Sequence, residues 1–126
     1  MRGPQVMLGY WQKPEETALV MTDDGFLRTG DIAQIDENGY IYLIDRKKDM
    51  IVVSGFNVYP NEVEQVISML PGVLEVGVVG EFCEESGERV KACIVKKDTS
   101  LTSEAVIAHC RQHLTGYKIP KIIEFT

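Results

Sequence analysis

Asp31 and Arg46 are two residues whose side chains could together bind a polar small molecule. A carboxylate accepts hydrogen bonds from two neighbouring hydroxyl groups, and a guanidinium donates charge-assisted bonds to hydroxyl or phosphate oxygens. The alternative is a plain ion pair between two strands, worth about 0.2–1 kcal/mol. Such pairs are common, so side-chain chemistry alone favours the plain ion pair and leaves a binding site open.

A predicted β-hairpin brings these two residues together. Residues 32–35 and 40–44 flank Asn38-Gly39, a dipeptide favoured by two-residue type I′ turns. The register that this turn sets pairs Glu37 with Tyr40, Ile35 with Tyr42, Ala33 with Ile44, and Asp31 with Arg46. We therefore expect the carboxylate and the guanidinium to lie side by side at the open end of the hairpin. A slip of one residue would break this prediction.

Three further features could do chemistry, and each has a simpler explanation. Lys48 lies in a basic linker that could be a hinge or merely a solvated connection. Gly55 could allow close approach of a ligand or could be a turn residue with positive φ. His109 and His113 have a spacing that can bind metal, but no third ligand is evident, so we predict no metal site.

The composition excludes some classes of function. The chain has 126 residues, 19 acidic against 13 basic, and a formal charge of −6, which argues against nucleic acid as a main partner. Three cysteines without close spacing predict reduced thiols in a cytoplasmic protein. No apolar run approaches the roughly 20 residues of a membrane span, and no signal peptide precedes the first motif.

The order of predicted elements indicates an α+β fold. Apolar periodicity, Pro and Gly predict helices at residues 14–21, 60–70 and 103–114, and strands at residues 50–53, 73–79, 89–95 and 122–125. From about Asp49 onward this is a small sheet packed with helices. The residues before it read as a β-rich remnant of a larger body.

Several motifs together resemble one family. In chain order they are residues 8–11, residues 14–17, Thr29-Gly30-Asp31, Asp45-Arg46-Lys47-Lys48-Asp49, residues 55–64 and Tyr117-Lys118-Ile119-Pro120. They are similar to the ribose-binding and hinge region of the adenylate-forming enzymes, which include acyl-CoA synthetases, luciferases and peptide-synthetase adenylation domains. The resemblance spans nearly the whole chain.

The resemblance implies roles for four residues of this sequence. Asp31 matches the aspartate that binds the ATP ribose, and Arg46 matches the arginine that assists it. Lys48 matches the hinge about which the small carboxy-terminal domain rotates between the two steps of the reaction. Gly55 matches the glycine that the pantetheine arm of coenzyme A approaches closely. No metal ligand is implied.

The resemblance also implies a division of the chain. Residues 1–47 match the end of a large amino-terminal adenylation domain, and residues 48–126 match the small carboxy-terminal domain. The family's adenylation lysine would lie beyond Thr126, so we assign no catalytic residue and do not give that role to Lys118 or Lys121. We read the chain as a carboxy-terminal portion and expect it, alone, not to form an acyl-adenylate.

Within the family, the amino-acid sequence at residues 3–11, 45–49 and 54–62 is similar to that of bacterial long-chain fatty-acid–CoA ligases. Their implied substrates and cofactors are a fatty acid, ATP with Mg²⁺, and coenzyme A. The implied partners are these small molecules and the amino-terminal domain; peripheral association with the inner membrane is left open. A relative acting on an aryl or short-chain acid, and a binding or dimerisation module without catalysis, remain alternatives.

Overall fold

The computed structural model describes residues 1–126 and contains three α-helices and seven β-strands. In chain order they are α1 (Pro14–Val20), β1 (Asp31–Ile35), β2 (Ile41–Arg46), β3 (Ile51–Val53), β4 (Phe56–Val58), α2 (Pro60–Ser68), β5 (Val73–Cys83), β6 (Gly87–Lys96), α3 (Ser103–His113) and β7 (Ile122–Phe125). A 3₁₀ turn, Gly116–Lys118, precedes β7. The predicted α+β fold is confirmed. None of the three helices has the length and apolar character needed to traverse a lipid bilayer.

The larger sheet has five strands and is built around β6. β5 pairs antiparallel with β6 through a loop at residues 84–86. On the other edge, β7 runs parallel to β6 from Lys91 to Ile94, and β3 meets it only at Val53 opposite Gly87. A parallel pair needs a crossover connection, and α3 lies in that crossover.

The core lies between this sheet and the two longer helices. β6 buries alternate residues, Val90, Ala92 and Ile94, as a strand does when one face packs against helices. α2 buries Val63 and Ile67, which are one turn apart on the same face. The cluster of buried hydrophobic residues comprises Ile51, Val58, Val63, Ile67, Val78, Val90, Ala92, Ile94, Leu101, Val106, Cys110 and Leu114. The apolar stripes predicted for both helices therefore face the core.

The loop of the β1–β2 hairpin has three residues, and the predicted two-residue turn is wrong. The Asp36 amide donates to the Tyr40 carbonyl oxygen at 3.0 Å, so these two residues close the loop. The Asp36 carboxylate accepts from the Tyr40 amide at 2.9 Å, and this bond is the main reason why its pKa lies below the ordinary value. The extra loop residue moves the register by one, so the predicted pairs Ile35–Tyr42 and Glu37–Tyr40 are wrong.

A bulge in β2 restores the predicted register at the open end of the hairpin. The bulge lies at Ile44, which has no partner in β1, and Ala33 faces Leu43 where we predicted Ile44. Beyond the bulge, Asp31 opposes Arg46 as predicted. The additional residue in the loop and the additional residue in β2 shift the register in opposite directions, and they cancel.

A second hairpin joins the predicted strand at residues 50–53 to β4, which lies where we predicted no strand. β3 and β4 pair antiparallel, with Val53 opposite Phe56. The two residues between them, Ser54 and Gly55, have φ of 50° and 84°. Two consecutive positive φ values define the type I′ turn that matches the twist of a tight hairpin. Gly55 is therefore required by the backbone of this turn.

The residues that precede β3 make a separate, less buried unit. α1 forms where Pro14 predicts it, and β1 and β2 make a sheet that shares no strand with the five-stranded sheet. Many large apolar side chains here are exposed: Leu8, Trp11, Leu19, Ile35, Tyr40, Ile41, Tyr42 and Leu43. This exposure agrees with the predicted remnant of a larger body, while the boundary between residues 47 and 48 stays a prediction.

Candidate functional site

Asp31 and Arg46 begin β1 and end β2, so the two side chains meet at the mouth of the hairpin. The Arg46 Nε lies 4.0 Å from the Asp31 Oδ1, and the side chains keep 67% and 30% of their exposure. A contact this long and open is a weak ion pair in the absence of a ligand. It also leaves oxygens of the carboxylate and donors of the guanidinium free for a polar ligand.

An open cavity of about 470 Å³ lies beside this pair. It is lined by Thr29, Gly30, Arg46, Lys47 and Lys48. Three of the five lining residues are basic, although the chain as a whole carries a net charge of −6. A local concentration of cationic donors in an acidic protein suits phosphate or carboxylate oxygens.

Lys48 lies in the turn between the hairpin and the larger sheet. The Asp49 amide donates to the Arg46 carbonyl oxygen at 3.1 Å and thereby closes this turn. The Lys47 amide donates to the Gly30 carbonyl oxygen at 2.8 Å. Lys48 is exposed and lies between the two residues, Lys47 and Asp49, whose amides make these bonds.

Asp45 ties the hairpin to α2. It is a buried charged residue, 8% exposed, and its Oδ1 accepts from the Arg46 amide at 2.7 Å. Its Oδ2 accepts from the Asn61 amide at 3.1 Å, in the first turn of α2, where a negative charge is favoured by the helix dipole. The Asn61 side chain donates back to the carbonyl oxygen of Ile44 at 3.1 Å. The bulge residue therefore takes part in the same junction.

Substituting Asp45 by alanine is expected to lower the free energy of unfolding by about 1.5–3 kcal/mol. The change leaves the amides of Arg46 and Asn61 without their acceptor at a partly buried junction. Urea unfolding followed by circular dichroism measures the loss. Asp49→Ala removes an exposed carboxylate from the same turn and serves as the control. An equal loss in both variants would contradict the assignment of the junction to Asp45.

Gly55 lies at the tip of the β3–β4 hairpin, near the 3₁₀ turn that carries the Tyr117-Lys118 motif. The Phe56 ring stacks on the Tyr117 ring with centroids 4.8 Å apart. The Lys118 Nζ donates to both carboxylate oxygens of Glu62, each at 2.7 Å. No atom lies within 4 Å of a Cβ built on Gly55, so this position faces open space.

His109 and His113 lie on one face of α3, with ring centroids 4.7 Å apart. The His109 Nε2 is 2.9 Å from the Val66 carbonyl oxygen. This nitrogen therefore bonds the end of α2 to α3, which gives His109 a packing role. The prediction that these histidines hold no metal stays a prediction.

The contacts of three residues at the junctions were not predicted from the sequence. Asp45 was noted only as part of a motif, yet it holds the hairpin to α2. The pair of Lys118 and Glu62 joins residues 56 positions apart, which no local pattern predicts. No local pattern indicates this role for Asp45 either, because the Asn61 amide from which it accepts lies 16 residues away in the sequence.

A family model described as the AMP-binding enzyme C-terminal domain matches residues 62–126, which is more than half of the chain. A long-chain-fatty-acid–CoA ligase of Yersinia pestis is 60% identical over 125 residues, covering 99% of this chain and 22% of that protein. The ATP-bound structure of MatB from Rhodopseudomonas palustris superimposes with a TM-score of 0.92 at 40% identity, covering 99% of this chain and 25% of that one.

A relative with a different substrate is also similar. A CoA ligase of Rhodococcus jostii, named for a methyl-dioxo-octahydroindenyl propanoate, is 43% identical and covers 99% of this chain. This chain spans about 22% to 25% of the length of the proteins that it matches. The similarity therefore concerns the part of each relative that corresponds to the hairpin and the five-stranded sheet.

Proposed function

Because this chain belongs to the family of AMP-binding enzyme C-terminal domains, we propose that it supplies the carboxy-terminal part of a long-chain fatty-acid–CoA ligase. One observation carries the proposal: Asp31 and Arg46 oppose each other beside a cavity with basic walls, in a chain 60% identical to such a ligase. Composition alone would not predict an anionic ligand for this acidic chain.

The proposed reaction has two steps. In the first, a carboxylate oxygen of the fatty acid attacks the α-phosphorus of ATP and pyrophosphate leaves, which gives the acyl-adenylate. In the second, the thiol of coenzyme A attacks the acyl carbon, loses its proton, and AMP leaves. The residues beside the hairpin would bind and orient the nucleotide in both steps, which is a large part of catalysis when charged groups must be held in line.

Asp31 and Arg46 take different parts in the proposed site. The Asp31 carboxylate accepts hydrogen bonds from both ribose hydroxyls, since it has two free oxygens on neighbouring positions. The Arg46 guanidinium donates to ribose or phosphate oxygens. Its side chain is long and largely exposed, so it can extend to a ligand beside the hairpin. At a separation of 4.0 Å no hydrogen bond joins the two side chains, so the oxygens of Asp31 and the donors of Arg46 stay available to the sugar.

The donor set of this chain does not fit Mg²⁺. The cavity beside the hairpin is lined by Arg46, Lys47 and Lys48, whereas Mg²⁺ takes carboxylate, phosphate and water oxygens. In the proposed ligase the ion would therefore accompany the ATP phosphates and be bound by other parts of the enzyme. The roles proposed for the residues of this chain do not require them to bind this ion.

We further propose that the hairpin and the larger sheet move relative to each other about Lys48, with the domain boundary between residues 47 and 48. Two features support a hinge here: Lys48 lies in the short connection between the hairpin and the five-stranded sheet, and it is exposed. Gly55 would approach the pantetheine arm of coenzyme A, because it faces open space at the tip of a tight turn. A cytoplasmic location, where ATP is available, is part of the proposal.

A chimera tests the proposal. Residues 1–126 would replace the matching segment of the Yersinia pestis ligase, and acyl-adenylate and acyl-CoA would be measured separately with ATP and a long-chain fatty acid. We expect both products, because 60% identity preserves the contacts between domains. A folded chimera that forms neither product would overturn the proposal, and the unmodified ligase is the control.

The Rhodococcus relative supports a second candidate, in which the same fold acts on a different carboxylic acid. The chimera cannot separate the two candidates when the acid is bound by the amino-terminal part. Hydroxamate formation by the native polypeptide that contains this chain, with fatty acids, aryl acids and the bicyclic propanoate in the name of the Rhodococcus ligase, would do so. A preference for a fatty acid supports the first candidate, and a preference for any other acid supports the second.

A further inference from the structure

β3 is attached to the five-stranded sheet by very few backbone bonds. Its single register pair with β6 joins Val53 and Gly87, and the Ser54 amide donates to the Ser86 carbonyl oxygen at 2.8 Å. Farther along the same edge of β6, the Lys121 amide donates to the Val90 carbonyl oxygen, and the pairing of β6 with β7 begins there. The β6 edge between these two points is not paired with the backbone of β3.

The carboxylate of Glu88 fills this gap. Its Oε2 accepts from the Val52 amide at 2.7 Å, so a side chain provides the bond that a strand would normally provide. Unpaired backbone amides at sheet edges are costly when they are shielded from water. A charged acceptor at this distance makes a stronger bond than a neutral carbonyl.

Neighbouring residues hold the Glu88 side chain in this position. The Ser86 hydroxyl donates to the Glu88 carbonyl oxygen at 2.7 Å, which fixes the backbone from which the side chain starts. On β5, Gly80 leaves the space that the carboxylate occupies: a Cβ there would overlap Oε1 and would lie 3.0 Å from Cδ of Glu88 and 3.2 Å from Cγ2 of Ile51. The absence of a side chain at Gly80 therefore matches the presence of the carboxylate.

We infer that Glu88 is a positioning residue that sets the orientation of the β3–β4 hairpin relative to β6. It thereby places the Ser54-Gly55 turn for the step in which the thiol of coenzyme A attacks the acyl carbon. Ile51 and Val58 anchor the base of the hairpin in the core. Nearer the turn, three further contacts hold it: the Ser54 bond, the Glu88 bond and the stacking of Phe56 on Tyr117. Loss of the Glu88 bond leaves the turn held by the other two and able to shift relative to the buried base. This inference rests on the proposed function, because it takes the turn as the place where coenzyme A approaches.

The first test follows the Val52 amide in the 126-residue chain by hydrogen exchange and NMR. We expect Glu88→Ala to speed this exchange by about 10- to 150-fold, while Glu88→Gln, which keeps an acceptor oxygen, restores most of the protection. Glu84→Ala removes an exposed carboxylate from the loop that precedes β6 and is the matched control. Unchanged exchange in Glu88→Ala would overturn the inference.

A second variant covers the case in which Glu88→Ala does not fold. Gly80→Ala keeps every polar group but takes the space of the carboxylate, and we expect it to speed Val52 exchange in the same direction. The backbone of Gly80 does not have positive φ, so alanine introduces no backbone strain there; Cγ2 of Ile51 must move by a few tenths of an ångström. Protection of Val52 that survives Gly80→Ala would overturn the inference.

The last test uses the chimera and separates the two steps. Glu88→Ala should raise the KM for coenzyme A by about tenfold or more, leave formation of the acyl-adenylate unchanged, and be rescued by Glu88→Gln. Equal loss in both steps would assign Glu88 a merely structural role. If the chimera itself were inactive, the proposed function would fail, whereas the exchange of Val52 would still decide whether Glu88 holds the hairpin.

Discussion

Asp31→Ala in the chimera is expected to lower kcat/KM for ATP in acyl-adenylate formation by about 10- to 150-fold. The range follows from removing hydrogen bonds to a charged acceptor, which contribute about 1.5–3 kcal/mol. Stability should barely change, because the only ion contact of this side chain is the 4.0 Å approach of Arg46. ATP–pyrophosphate exchange at varied ATP measures the first effect, and urea unfolding measures the second.

Two companion variants sharpen this test. Asp31→Asn keeps one acceptor oxygen without the charge and should show an intermediate loss. Glu37→Gln removes an acidic charge from the exposed loop of the same hairpin and should leave ATP kinetics unchanged. If Glu37→Gln impaired the reaction as much as Asp31→Ala, the effect would come from the overall charge of the hairpin, and the ribose contact would be refuted.

Local patterns predicted the helices and the face that each buries. Val63 and Ile67 are one turn apart after a proline, and this spacing alone places both against a core. For β6 we predicted a strand over residues 89–95 but not which face it buries. These predictions succeed because helical and strand periods are set by backbone geometry within a few residues.

The hairpin register shows where local patterns stop being sufficient. Asn38-Gly39 favours a two-residue turn, but the Asp36 carboxylate binds the amides of Asn38 and Tyr40 and stabilises a longer loop. The bulge at Ile44 is linked to a bond with Asn61, which is 17 residues away. The open end of the hairpin agreed with the prediction because these two departures cancel.

Contacts between distant parts of the chain were not predictable from the sequence. Glu88 lies 36 residues from Val52, and its role depends on the space left by Gly80 on a third strand. β4 was missed because three residues after a tight turn carry too little periodicity to be told from a loop. The assembled sheet was needed to show that a side chain completes one edge.

Ile67→Ala is expected to lower the free energy of unfolding of this chain by about 2–5 kcal/mol. Ile67 is fully buried in α2, and the truncation removes methyl and methylene groups and leaves a cavity that neighbouring residues fill only in part. A domain of this size is stable by about 5–15 kcal/mol, so the loss is a large share. Urea unfolding should show a lower midpoint with an unchanged slope.

Leu74→Ala is the matched control for this substitution, because it also truncates a large aliphatic side chain but at a position on β5 that is 61% exposed. We expect it to change stability by less than about 0.5 kcal/mol. A loss close to that of Ile67→Ala would mean that the outer face of β5 is covered in solution. The core would then extend beyond the layer between the sheet and the two helices.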